Sequence, residues 1–326
     1  MDLTNHTRYP ANIFRTVIDD TRFGAAVVAR VTFDLTPDGP KPADGQPWKV
    51  SAAPWENEHG QMDGDEVFYR GGIDVFLFGK AWTSPRNSKE VEVVIEVGSF
   101  KRRVLVVGDR VWVREEEELV PSAPQSFKSL PLTLANAFGG KDQWDGLDIP
   151  YPDNPAGKGY ALEENNAEGR PLPNIEDPDH RIARWEDRPD PVGVGMCPLT
   201  CGLRLRNGIV LDDHKQIRSL KPTLFNSAFP HMIAECVQPG DLVRISGVLP
   251  KGIFSFTVPS FGLTARLRFG DETIERLLAI DQIGFETEHN RFFITYRYPF
   301  RYVMYPLQKR SCELLEGVGS SATGGT

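Results

Sequence analysis

The sequence has no apolar run of the roughly eighteen residues that a membrane helix needs, so no membrane insertion is expected. Its start, MDLTNHTRYP, has neither the basic nor the apolar segment of a signal peptide, which points to the cytoplasm. Cysteine is scarce, with only Cys197, Cys201, Cys236 and Cys312, and in a reducing compartment free thiols are the default. Cys197 and Cys201 have the spacing of a zinc half-site, with His214 or Cys236 as further ligands. A second closely spaced ligand pair is missing, so no metal is expected. Also absent are a Walker loop, a G-x-S-x-G elbow and an H-E-x-x-H pair, and Gly193-Val194-Gly195 lacks the third glycine of a dinucleotide loop. The histidines (His6, His59, His180, His214, His231 and His289) have no i, i+4 partners and read as surface or turn residues. Positive charge is in deficit: the formal net charge of −8 argues against nucleic acid or an anionic membrane as the main partner. These absences leave no catalytic motif and no cofactor, and the expectation is a non-enzymatic protein.

Glycine and proline are abundant, and they concentrate in one stretch, Leu130 to Pro178. Glycine admits positive φ, and proline removes a donor, so no long helix or strand is expected to cross it. Phe138, Trp144, Ile149, Tyr151, Tyr160, Leu162 and Ile175 are spread through it, a density of apolar residues that disordered linkers lack. The reading is an ordered, irregular surface built from turns, since long loops inside compact domains are usually functional.

Around it the chain is β-rich. Ala25 to Leu35 alternates with period two, as a strand with one buried face does. A turn at Pro37 to Pro40 precedes an extended piece through Trp48 to Ala53. Ile73 to Trp82 reads as a strand closed at Ser84 to Asn87. Glu90 to Val97 and Lys101 to Val107 form the strongest hairpin signal, across Gly98-Ser99-Phe100. Four carboxylates at Glu115 to Glu118 read as a solvated edge. Leu132 to Phe138 fits a short helix capped by Gly139, and Val192 to Gly195 a flexible elbow. Leu242 to Leu249, Ile253 to Val258 and Leu263 to Phe269 read as strands, the last two joined by a hairpin turn at Pro259 to Gly262. Glu272 to Ile283 fits either a helix with Asp271 as N-cap or a strand. The alternation of Phe292 to Tyr298 favours a hairpin from Leu277 to Pro299.

The expected fold is mainly β: antiparallel sheets, sandwich- or barrel-like, with a long irregular central loop region and few short helices. Its parts would be an N-terminal β region (1–129), the central region (130–190), a C-terminal β region packed with the first (191–310) and a flexible tail (311–326).

Two chemical readings of the central region compete with a binding role. Asp142, Asp145, Asp148, Asp153 and Asn154 could ligate Ca²⁺, but the calcium-loop pattern is absent and such residues favour turns. Glu163, Glu164, Glu168 and Glu176 could supply the acid and base of a carbohydrate-active hydrolase if two of them faced each other across a cleft.

Several segments in order resemble one family, the bacterial type VI secretion accessory proteins grouped as domain-of-unknown-function family 2169. They are Val28 to Leu35 with Asp38-Gly39, Asp74 to Ala81, and Val107 to Arg110 with Trp112. The centre is Pro131-Leu132 with Ala137-Phe138-Gly139-Gly140 and Asp142, then Asn154-Pro155 with Gly157 and Gly159, then Pro173 to Glu176. Pro191, Gly193 and Gly195, then Phe225-Asn226, Gly240-Asp241 and Leu249-Pro250 close the pattern. Tyr296-Arg297 stands where a tryptophan-arginine pair is common. The resemblance implies a cytoplasmic adaptor or chaperone that binds an effector with a PAAR-like domain and helps load it onto the VgrG spike. A structural spike-associated component is the alternative within that setting. On this reading Trp144, Tyr151 and Tyr160 touch the partner. Phe138, Gly139, Gly140, Asn154, Pro155, Asn174 and Ile175 organise the loop. Buried interface aromatics are favoured anchors, and loops on rigid scaffolds are favoured places for them.

Overall fold

The computed structural model describes residues 1–83 and 88–317, so the turn expected at Ser84 to Asn87 and the end of the expected tail lie outside the described residues. Among the described residues the fold is mainly β, with two short α-helices, Glu164–Ala167 and Gly202–Gly208. Among the described residues no sheet closes into a barrel, which removes that half of the expectation.

In the largest sheet the long strand Arg22–Thr36 stands second from one edge. Antiparallel neighbours are Ala11–Val17 on one side and Arg291–Val303 on the other, followed by Ala279–Glu286 and then Ile73–Phe78 in parallel. Two C-terminal strands thus lie between N-terminal strands within one sheet. A second sheet holds Glu90–Val97 and Phe100–Val107 beside Leu242–Ser246 and Phe254–Thr257. It stacks on the first through aromatics, Phe256 lying parallel to Phe292 at 4.1 Å. A third sheet pairs Leu263–Phe269 with Glu272–Leu277 and Arg310–Glu316. Residues 311–316, expected as tail, are therefore strand, with Cys312 and Leu314 in the core.

Arg22–Thr36 is buried on both faces, not one. Ala25, Val27, Ala29, Val31 and Phe33 face the main core. The opposite face meets the segment from Trp48 to Arg70, which was expected to begin as an extended piece but forms no strand before Trp55–Asn57. Trp48 lies 4.1 Å from Phe293, and Gly284 leaves room for that ring, since a Cβ there would fall 2.3 Å from it.

This covered face carries charge. Arg30, Thr295, Gln282 and Asp74 stand opposite one another across four adjacent strands. Arg30 Nε donates to Thr295 Oγ1 at 2.8 Å, Arg30 Nη2 to Gln282 Oε1 at 3.1 Å, and Gln282 Nε2 to Asp74 Oδ2 at 2.9 Å. Arg70 pairs with both Asp74 and Asp281 at 3.1 Å, and Arg297 with Asp281 at 2.9 Å. Arg30 also reaches Asp65 at 2.6 Å, which ties the covering segment down. Asp74 further accepts from Asn226 Nδ2 and the amides of Ser227 and Ala228. All three arginines are buried, so each charge needs its partner.

The hairpin Ala279–Glu286/Arg291–Val303 replaces the helix alternative, and Asp271 sits in the turn of a second hairpin instead of capping a helix. The two-residue turn Gly98-Ser99 joins the first predicted hairpin, with Phe100 already paired to Val97. Glu115 to Glu118 forms another hairpin tip, where Glu116 takes φ +55°. Pro259 to Gly262 is not a hairpin turn: the strands it joins belong to different sheets, and Phe261 packs on Tyr9 and Phe33. Val192 to Val194 is buried, and the Val194 carbonyl accepts the Leu77 amide at 2.8 Å, so the segment is fixed and not an elbow.

Removing one partner from the buried charge network strands the others. Asp74→Ala is expected to destabilise the protein by about 3–5 kcal/mol, read from urea denaturation.

Candidate functional site

The central stretch is ordered and joined to the scaffold at both ends. Ser129–Pro131 pairs with Lys80–Trp82, and Ile175–Glu176 adds a strand to the second sheet beside Phe100–Val107. The helix expected over Leu132 to Phe138 is reduced to one 3₁₀ turn, Leu134–Asn136. Phe138 and Gly139 leave it to pair in parallel with Lys158–Gly159. Gly139 therefore does not cap a helix. Its φ of +147° permits a close approach in which a Cβ would fall 2.1 Å from the Asn154 carbonyl.

Asn154 is the inner fastener of the platform. Its buried Nδ2 donates to the Leu134 and Phe138 carbonyls at 2.8 and 3.0 Å, while its carbonyl accepts from Gly140 at 2.8 Å. Asn174 fastens the far end, donating from Nδ2 to the Val107 carbonyl at 2.9 Å and to Asp109 Oδ1 at 3.0 Å. Ile175 enters the main core, and Pro155 is exposed. Asp142, buried at the centre, accepts the Leu162 amide at 2.6 Å and Asn166 Nδ2 at 3.1 Å and pairs with Arg170.

The aromatics divide into two groups. Phe138 belongs to a small satellite core with Trp112, Leu119 and Leu172, against which Tyr151 and Tyr160 pack. Tyr151 meets Phe138 edge-on at 5.0 Å and Tyr160 at 5.2 Å, and the Arg188 guanidinium lies 5.2 Å from the Tyr160 ring. Burial pushes the Tyr151 hydroxyl up to about 12, so it stays protonated. Trp144 stands apart. It ends the hairpin Lys141–Trp144/Leu147–Pro150, directly opposite Leu147. The turn between them is Asp145-Gly146, both with positive φ, as a two-residue type I′ turn requires. Trp144 is 56% and Leu147 65% exposed, so the tip presents an apolar pair to solvent. Leu147 was missed from the sequence, although the Asp-Gly dipeptide announced the hairpin. A separate ribbon, Ile209–Leu211/Ile217–Leu220, also exposes Leu211, Ile217 and Leu220.

Most of the candidate carboxylates are taken up in ion pairs. Asp153 pairs with Arg206 at 2.8 Å, Asp148 lies 3.7 Å from Lys141 and Asp145 occupies the turn, so the calcium set is dispersed. Glu164 and Glu168 both pair with Arg114, and Glu176 is buried against Arg110 at 2.6 Å. Cys197 and Cys201 are buried and free, Cys201 donating to the Asp153 carbonyl at 3.1 Å. Neither His214 nor Cys236 completes a three-ligand group with them. Among the described residues one such group occurs, Glu58, His59 and Glu286, and nothing in the spacing of the chain announced it. His59 and His231 are also largely buried, unlike the surface residues expected.

A family model matches residues 20–297. The chain belongs to domain-of-unknown-function family 2169. That family is described as an uncharacterized protein conserved in bacteria, with no activity and no secretion system attached. No curated protein and no solved structure matches this family-2169 chain.

Burial alone would raise the pKa of Asp142, but the bonds from Leu162, Gln143, Asn166 and Arg170 outweigh it and hold the carboxyl below its usual range. A depressed carboxylate contributes stability above its unfolded pKa and loses it as pH falls. The stability advantage over Asp142→Asn should therefore be full near neutrality and shrink below about pH 4, read from urea midpoints across pH.

Proposed function

We propose that this protein is a non-enzymatic binding protein, an adaptor whose central platform docks another protein. The observation that carries the proposal is the exposed Trp144–Leu147 pair on a short, geometrically defined hairpin, held by a buried hydrogen-bonded base. An exposed tryptophan costs solvation that a partner's apolar surface would restore, and a rigid mount keeps the ordering cost of binding low. Tyr151 and Tyr160 pack on the satellite core of the same platform, each leaving part of its ring exposed.

The resemblance described above names the partner class. The client is an effector with a PAAR-like domain, carried in the bacterial cytoplasm and passed to the VgrG spike. Transient burial of the client's apolar surface is the mechanism, released when the spike binds it better. The hydrolase alternative loses support, because Glu164, Glu168 and Glu176 are each engaged with an arginine.

The test is affinity for the PAAR-like effector produced in the same cells, measured with purified proteins. Trp144→Ala with Leu147→Ala should weaken binding at least tenfold, about 1.4 kcal/mol or more, with the urea midpoint unchanged. Ile217→Ser on the separate ribbon should leave binding intact. No complex with effector or spike protein would contradict the proposal, as would full affinity in the double variant.

A further inference from the structure

We propose that Glu58, His59 and Glu286, completed by His289, form a binding site for a first-row divalent cation, Zn²⁺ by preference. The site lies at one end of the covered face of the largest sheet, remote in sequence from the central platform. Its donors come from two places: Glu58 and His59 from the turn between Trp55–Asn57 and Gly60–Met62, and from the Ala279–Glu286/Arg291–Val303 hairpin Glu286 at the end of its first strand and His289 in its turn.

Geometry favours an ion. Tetrahedral zinc with bonds of about 2.0–2.1 Å sets neighbouring donor atoms about 3.3 Å apart. His59 Nε2 stands 2.9 Å from Glu286 Oε1 and 3.9 Å from Glu58 Oε1, and His289 Nε2 stands 3.2 Å from Glu58 Oε1. The first three donors already lie within 4.8 Å of one another. His289 is the outer member: its Nε2 reaches Glu58 alone, and its partly exposed ring would turn inward to take the fourth position.

The surroundings hold these donors in place. The His59 ring packs against both Trp48 and Phe78, with centroids 5.8 and 4.6 Å away, and its Nε2 meets Glu286 Oε1. The other oxygen of Glu286, Oε2, accepts from Trp48 Nε1 at 2.8 Å and Arg291 Nε at 2.6 Å. An ion there displaces Arg291 Nη2, which stands 2.8 Å from Glu286 Oε1 and 3.6 Å from Glu58 Oε1, and leaves both Oε2 bonds intact. That is an outer shell of the kind that orients a ligating carboxylate. Two imidazoles with two carboxylates suit zinc better than the all-oxygen sets of calcium or magnesium. The ion has a way in: Glu58 and His59 line a cleft of about 340 Å³ that also borders Gly79, Leu132 and Met196.

The experiment uses the tag-free full chain, stripped with chelator and titrated with Zn²⁺ by calorimetry and with Co²⁺ by absorption. One ion per chain is expected, with the Co²⁺ spectrum of a four-coordinate site. The double variant Glu58→Gln/His289→Ala changes two exposed side chains and should weaken uptake by at least about tenfold. Absence of stoichiometric uptake by the wild type would overturn the proposal. So would undiminished uptake by the double variant, which would place the ion elsewhere.

Discussion

The fold depends on a row of buried polar side chains that crosses four strands drawn from distant parts of the sequence. Arg30, Thr295, Gln282 and Asp74 can meet only if Arg22–Thr36, Arg291–Val303, Ala279–Glu286 and Ile73–Phe78 stand side by side in one register. A slip of one residue would turn the row toward the apolar core, where arginine and aspartate would be stranded. Buried ion pairs add little net stability over apolar packing of the same volume. Their effect here is selective: they admit one register and one way of laying Trp48 to Arg70 over the sheet. The N- and C-terminal β regions are consequently one sheet system, not two lobes.

The same logic, at smaller scale, builds the central platform. A segment so rich in glycine and proline cannot satisfy its backbone by helix or long strands, so single side chains supply the missing partners. Asn154 takes two carbonyls, Asn174 bridges to the neighbouring sheet, and Asp142 gathers Leu162, Asn166 and Arg170. With its base so fixed, the hairpin above can leave Trp144 and Leu147 in solvent without the segment collapsing around them. Exposed apolar surface on an ordered mount is what separates a docking element from a loop tip.

Much of the strand content was legible: the alternation in Glu90 to Val107 reports a half-buried sheet directly, and that of Phe292 to Tyr298 marks a strand, although this one is buried on both faces. Long-range facts were not. The alternation of Ala25 to Leu35 predicts one buried face, yet Arg30 and Thr32 are buried too, under a segment whose path has no periodic signal. Pro259 to Gly262 has the composition of a hairpin turn but spans two sheets, since turn chemistry does not say which strands pair. Within the site, Asn154 and Asn174 were expected to organise the loop, but which carbonyls their side chains bond was not legible. The split of Trp144 from Tyr151 and Tyr160 was not, because three aromatics in one loop look alike until their packing is known. Family membership followed from the ordered motifs, and it carries no activity with it.

The claim on which the functional account rests is that residues 130–178 are a folded platform continuous with the scaffold. Native-state hydrogen exchange of the free protein tests it most directly. The amides of Gly140, Tyr160 and Leu162, bonded to Asn154, Gly139 and Asp142, should exchange only with unfolding of the sheet beside them. Exchange of these amides at the rate of an open loop, while the strands stay protected, would contradict it.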